Sequence, residues 1–166
     1  MKPSILSRLV PFYGVVLLAV VLDQIVKRMV DAWLPYREMV PVVPMLALYR
    51  TYNRGIAFSF LTGSSIWALI ALTICVVAFV LYLRHRTMAQ RWLSHLGYAL
   101  IIGGAIGNLI DRAVLGYVVD YVLFHTQTWS FAVFNLADSF ITVGAAAVIL
   151  DELFGMRARE SGESQG

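Results

Sequence analysis

The apolar run Leu9-Val10-Pro11-Phe12-Tyr13-Gly14-Val15-Val16-Leu17-Leu18-Ala19-Val20-Val21-Leu22 passes without a break into Asp23-Gln24-Ile25-Val26-Lys27, and the reading of that junction decides the fold. Preceded by Lys2 and Arg8, the run has the charge pattern of a secretory signal peptide. A cleaved leader would end in a small-x-small site, which does not follow the apolar core here. Asp23 and Lys27 instead continue the helical pattern, and a separation of four places them on one face. The segment from Leu9 to Val30 is therefore read as an uncleaved first span, with an acid and a base inside or at the edge of the membrane.

Three more segments of this kind follow: Ser65 to Leu83, Trp92 to Ile110 and Phe131 to Leu150. Each is close to the roughly 20 residues that a bilayer core demands. Composition agrees, since 60% of the 166 residues are hydrophobic and 14% are charged, against about a quarter charged in a soluble domain. The expected fold is an all-α polytopic membrane protein: four transmembrane helices with a small extracytoplasmic β-sheet. A single membrane domain would cover residues 1–156, and the polar residues 157–166 would form a disordered cytoplasmic tail.

The sheet is expected from two stretches. Asp31 to Ser64 is too long for a simple link, and after Pro35, Pro41 and Pro44 it reaches the β-prone Leu48-Tyr49-Arg50-Thr51-Tyr52. Tyr117 to Phe124 is a second β-branched and aromatic run, able to pair with the first. Orientation follows from the loop Arg84-His85-Arg86-Thr87-Met88-Ala89-Gln90-Arg91, which holds three arginines and no acid and should face the cytoplasm. Both termini then lie inside. Seven basic residues fall on that side and six on the other, so the dense acid-free loop decides. Asp23, Asp31, Glu38, Asp111, Asp120 and Asp138 all fall toward the outer face.

Several functions find no support. The formal charge of +3 is scattered rather than gathered into a basic stripe, so no nucleic-acid partner is expected. Cys75 is the single cysteine and can form neither an intramolecular disulfide nor a CxxC pair. There is no HExxH, and His85, His95 and His125 are too far apart to suggest one site, so no metal or other cofactor is expected. No GxSG serine motif is present, and Lys27 has no serine near it in sequence to form a dyad. Gly103-Gly104-Ala105-Ile106-Gly107 lacks a P-loop lysine; its small residues suit close helix packing.

Carboxylates at a membrane cost several kcal/mol unless paired, which makes each a functional hypothesis. Asp23 with Lys27, and Asp111 with Arg112 or a neighbouring helix, can simply neutralise one another. Asp120 and Asp138 have no adjacent cation. They are either separate membrane-edge carboxylates capping helices or a pair. Two carboxylates within hydrogen-bonding distance would share one proton, with the ionised partner activating water and the protonated one assisting the carbonyl or leaving amine. Proton- or ion-coupled transport is the rival, although no repeat is evident and the polar groups lie to one side rather than at the midplane.

The chain resembles the lipoprotein signal peptidases, the bacterial type II signal peptidases. Five ordered blocks carry the likeness: Leu22-Asp23-Gln24 with Lys27; Tyr52-Asn53-Arg54-Gly55-Ile56-Ala57-Phe58-Ser59; Gly103 through Asn108-Leu109-Ile110-Asp111-Arg112; Gly116-Tyr117-Val118-Val119-Asp120-Tyr121; and Phe134-Asn135-Leu136-Ala137-Asp138-Ser139. Arg54 and Ile56 depart from it, standing where many relatives carry smaller residues. The resemblance implies an aspartyl endopeptidase of the bacterial inner membrane with Asp120 and Asp138 as its catalytic dyad. Its substrates would be diacylglyceryl-modified prolipoproteins, cut just before the lipidated cysteine, with membrane lipids as surroundings. It implies that Asp23, Lys27, Asn53, Gly55, Asn108, Arg112 and Asn135 shape the site or hold the substrate. Asp111 would be a structural partner. Oligomeric state is not implied.

Overall fold

The computed structural model describes residues 5–55, 66–126 and 128–163. In chain order these form α1 (Ile5–Trp33), β1 (Met39–Val43), β2 (Leu46–Asn53), α2 (Ile66–Arg86), α3 (Trp92–Val114), β3 (Val118–Phe124) and α4 (Leu136–Glu163). The helices pack around α3, which buries residues along its whole length, from Ser94 and Gly97 through Ile102 and Gly104 to Asn108 and Asp111. By contrast α2 buries only Val80 and leaves Leu72, Ile74, Val76 and Phe79 exposed. An apolar helix that turns most of its surface outward is stable where lipid replaces water.

Small residues let α3 serve two partners. A Cβ on Gly97 would stand 2.5 Å from the Gly144 carbonyl oxygen of α4, and one on Gly144 would stand 2.6 Å from the Gly97 oxygen. One turn and a half farther on, Gly103 sits where a Cβ would meet Ala19 of α1 at 2.6 Å. Backbones at this range gain dispersion contacts without apolar desolvation, which is what holds helices together in lipid. The glycine stretch thus admits two helices rather than one.

The expected strands pair as β2 with β3, antiparallel, with Leu48 opposite Val122 and Thr51 opposite Asp120. β1 is an additional strand, pairing antiparallel with β2 to give the order β1-β2-β3. It contains Pro41, which lacks an amide hydrogen, and it lies at the sheet edge where that donor is not needed. All five of its residues are exposed.

Helix limits differ from expectation in three places. α3 runs on past Ile110 to Val114, so Asp111 and Arg112 are helical. Phe131 to Phe134 are not helical: Phe134 bonds instead with β3, its amide to Val122 O at 3.0 Å and its oxygen to Val122 N at 2.8 Å, and α4 begins at Leu136. At its other end α4 continues past Arg157 to Glu163. The expected start of the second span, Ser65, and the block Ile56 to Ser59 lie outside the described residues. Among the described residues, three helices are long and apolar enough to cross a membrane: Val10–Trp33, Ile66–Arg86 and Trp92–Val114. Three of the four expected crossings therefore rest on length and hydropathy.

Candidate active site

The start of α4 organises the polar centre. Asn135 is its N-cap and Asp138 its third residue, and each side chain serves the other's backbone: Asp138 N donates to Asn135 Oδ1 at 3.0 Å, and Asn135 N to Asp138 Oδ2 at 3.1 Å. This reciprocal box satisfies two of the donors that a helix start leaves open. The next two are met from other elements. Leu136 N donates to the Tyr121 hydroxyl at 3.1 Å and Ala137 N to Asp23 Oδ1 at 3.0 Å. Burial pushes the Tyr121 phenol up to about 12, so it keeps its own proton while accepting that bond.

Behind the helix start lies Lys27, only 3% exposed. Its ammonium meets Asp23 Oδ2 at 2.8 Å, Asp111 Oδ2 at 2.9 Å and Asn108 Oδ1 at 2.8 Å, one acceptor for each of its hydrogens. Asp111 pairs with this lysine on the neighbouring helix, not with adjacent Arg112. Gln24 adds a donor to Asp111 Oδ1 at 2.9 Å, and Val119 N adds one to Asp111 Oδ2 at 3.3 Å. The cluster ties α1, α3 and β3 together.

Lysine can only donate, and this fixes the orientation of the Asn108 amide. With Oδ1 turned to Lys27, Nδ2 of Asn108 donates to Asp138 Oδ1 at 2.8 Å. The Asn135 amide is fixed by its capping role in the same way: Nδ2 donates to Asp120 Oδ1 at 2.6 Å and to Asn108 Oδ1 at 3.2 Å. Asn53 Nδ2 donates to Asp120 Oδ2 at 3.0 Å. All four oxygens of Asp120 and Asp138 thus accept an N–H, and two asparagine amides link one carboxyl to the other. Burial pushes Asp120 up to about 6, opposed by the Asn53 bond and reinforced by the charge of Asp138.

Both carboxyls line one cavity of about 680 Å3, with Asn53, Gly55, Arg112, Ser139 and Thr142 and an apolar wall that includes Leu69, Leu72, Phe131 and Phe134. This is within the usual size range of ligand sites, mostly apolar with a few convergent polar groups. Gly55, at φ 98°, closes a turn in which its N–H donates to Asn53 Oδ1 at 2.8 Å. A side chain there would be strained, and its Cβ would fall 2.6 Å from Leu69 Cδ1. The glycine lets Asn53 hold Asp120 without filling the cavity.

The residues named from sequence therefore divide. Asn53, Gly55, Arg112, Asp120 and Asp138 border the cavity. Asp23, Lys27, Asn108 and Asn135 are buried behind it: Asp23, Asn108 and Asn135 contact the two carboxyls or the backbone that carries them, and Lys27 reaches them through Asn108 and Asp23. Gln24 and Tyr121 were not singled out, although each adjoins a residue that was. The Phe131 and Phe134 wall had no signal apart from the span assigned to it.

A family model, Signal peptidase (SPase) II, matches residues 15–154. The chain belongs to the signal peptidase II family. It is 59% identical over 160 residues to a lipoprotein signal peptidase of Sinorhizobium fredii, covering 96% of each chain. A lipoprotein signal peptidase of Mesorhizobium japonicum is 54% identical over 151 residues, 91% of this chain and 90% of that one. Two bacterial membrane enzymes solved by the in meso method share the fold. One has a TM-score of 0.78 at 25% identity, covering 88% of this chain and 89% of its own. The other has a TM-score of 0.77 at 26% identity, covering 86% and 92%. As a signal peptidase II family member the chain is a protease, and its apolar helices make it a multi-pass membrane protein.

Proposed function

We propose that this signal peptidase II family member removes signal peptides from lipid-modified bacterial prolipoproteins, cutting just before the diacylglyceryl cysteine with water activated between Asp120 and Asp138. The observation that carries this is the pair of carboxyls on the wall of one apolar cavity, each held by amide donors from two other residues. Asp138 takes a proton from water as the water oxygen attacks the scissile carbonyl, and Asp120 gives its proton to the carbonyl oxygen. Collapse of the gem-diol intermediate breaks the C–N bond: one hydroxyl returns its proton to Asp120 as the C=O bond re-forms, and the leaving nitrogen takes the proton held by Asp138. Arg112 and Asn53 face the same space and serve as donors to substrate carbonyls. Asp23, Lys27, Asn108 and Asn135 act by positioning the two carboxyls. The apolar wall suits the acyl chains of the substrate and excludes bulk water, which strengthens each bond to the reacting centre.

The direct test is hydrolysis of matched precursors with and without the diacylglyceryl group. The lipidated form is expected to have a kcat/KM at least about 100-fold higher, since the diacylglyceryl group anchors the precursor in the bilayer and holds its scissile bond beside the cavity. Equal cleavage of both forms would remove the substrate assignment.

The pH profile tests the division of labour. With Asp120 protonated up to about pH 6, kcat/KM is expected to fall as pH rises through that value, approaching tenfold per unit. Asn53→Ala removes a donor that favours the ionised form of Asp120, so the falling limb should move to higher pH. A profile flat from pH 5 to 8, or one that Asn53→Ala leaves in place, argues against Asp120 as the acid.

The membrane arrangement completes the proposal. α4 lies along α3 through the Gly97 and Gly144 contact and is assigned as the fourth crossing. Both termini are assigned to the cytoplasm of the bacterial inner membrane and the dyad to its outer face, on the strength of the acid-free loop at residues 84–91. A membrane-impermeant thiol reagent added outside should modify a cysteine placed at residue 125 and leave one at residue 88 unmodified. The reverse pattern would invert the orientation.

A further inference from the structure

At the end of the bundle opposite the dyad, α1, the end of α2 and the start of α3 enclose a second cavity of about 640 Å3. Its walls are apolar on the α1 and α3 sides, with Phe12 and Val15 facing Leu96 and Ala99. Its rim is basic, with Arg84 and His85 at the C-terminal end of α2. Arg84 is half-buried, and its guanidinium stacks on the Phe12 ring at 3.8 Å and lies 5.9 Å from that of Tyr13. These ring faces are its only partners among the described residues. Its Nε is sealed from solvent with no acceptor, and among the described residues no hydrogen bond or ion pair is made by either Nη. Arg91, in the same basic loop, is fully engaged by Asp151 and Glu152 of α4, which leaves those acids spoken for.

A guanidinium is a planar fork of five donors, suited above all to carboxylate or phosphate oxygens. One held against aromatic rings at the mouth of an apolar cavity, with no acid assigned to it, is set up for an anion that arrives with hydrocarbon attached. Trp92, also on the rim and 70% exposed, is the residue type that collects at the headgroup level of a bilayer. We infer that this cavity binds one anionic phospholipid, its phosphate on Arg84 and its acyl chain along Phe12, Val15, Leu96 and Ala99. The charge of the rim selects an anionic headgroup over a zwitterionic one, and the apolar walls select a lipid over free phosphate. The site is separate from the dyad and does not depend on the assigned substrate.

Native mass spectrometry of the detergent-solubilised full chain with added dioleoylphosphatidylglycerol tests this. The expected result is one retained lipid per protein, about tenfold weaker for Arg84→Gln and unchanged for Arg86→Gln, as expected for loss of a charge-assisted bond rather than of net charge. Leu96→Trp keeps every charge but fills the cavity, and should displace the lipid as well, so the outcome does not rest on the folding of one variant. Inorganic phosphate in excess should not compete. Equal loss in Arg84→Gln and Arg86→Gln, equal retention of dioleoylphosphatidylcholine, displacement by phosphate, or a dimer that Arg84→Gln dissociates would each overturn the assignment.

Discussion

Asp120→Asn and Asp138→Asn are each expected to lower kcat/KM at least about 1000-fold, because each removes one of the two proton transfers on which water activation depends. The substitutions change little else. An asparagine can keep one acceptor oxygen toward its amide partner, but its new NH2 group then faces a second donor: Asn53 Nδ2 at Asp120, and either Asn108 Nδ2 or Asn135 N at Asp138. One mismatched bond costs about 1 to 3 kcal/mol, which a bundle with this much buried packing tolerates. Purified variants should therefore unfold within a few degrees of the parent while losing turnover of a lipidated precursor. A variant that keeps more than a tenth of parental kcat/KM would remove its aspartate from the chemistry.

The second large effect belongs to Lys27, which never reaches the cavity. Lys27→Met leaves Asp23 and Asp111 buried side by side without their shared cation, and breaking a buried ion cluster in this way costs about 3 to 5 kcal/mol. It also loosens the Asn108 amide, whose Oδ1 is then held away from Asp138 by the longer Asn135 Nδ2 bond alone. Loss of stability and loss of activity should come together. Adding Asp111→Asn, which removes one of the stranded charges, should restore part of the stability but not the lysine bond to Asn108. Chemical denaturation of the parent, the single and the double variant separates these effects. A Lys27→Met cost below about 1 kcal/mol would contradict the charge accounting.

Much of the fold was legible because membrane segments advertise themselves by length and apolarity, and because Leu48 to Tyr52 and Tyr117 to Phe124 are rich in β-formers. β1 was hidden by Pro41 and Pro44, which suggest a loop until the edge position is known. The start of α4 is not legible because Phe131 to Phe134 are as apolar as any span, and only the backbone bonds of Phe131 and Phe134 to β3 show that this stretch runs beside the sheet. The charged residues at the site could be named from spacing and resemblance, but not their division of labour. That Asn108 and Asn135 transmit the orientation set by Lys27 and by the helix cap depends on contacts between residues 81 and 27 positions apart, and no local pattern encodes them. Spacing alone could not choose between Arg112 and Lys27 as the partner of Asp111.

The amide of Ala137 reaches back 114 positions to Asp23, so the first and last helices close the same knot. During synthesis α1, α2, α3 and the sheet can all be in place while the carboxyl of Asp138 is still being translated or has yet to dock. Until α4 arrives, Asn108 has no carboxyl to orient and Asp120 lacks the Asn135 donor. On the proposed mechanism, a chain whose α4 has not yet docked holds no working centre and cannot cut neighbouring precursors.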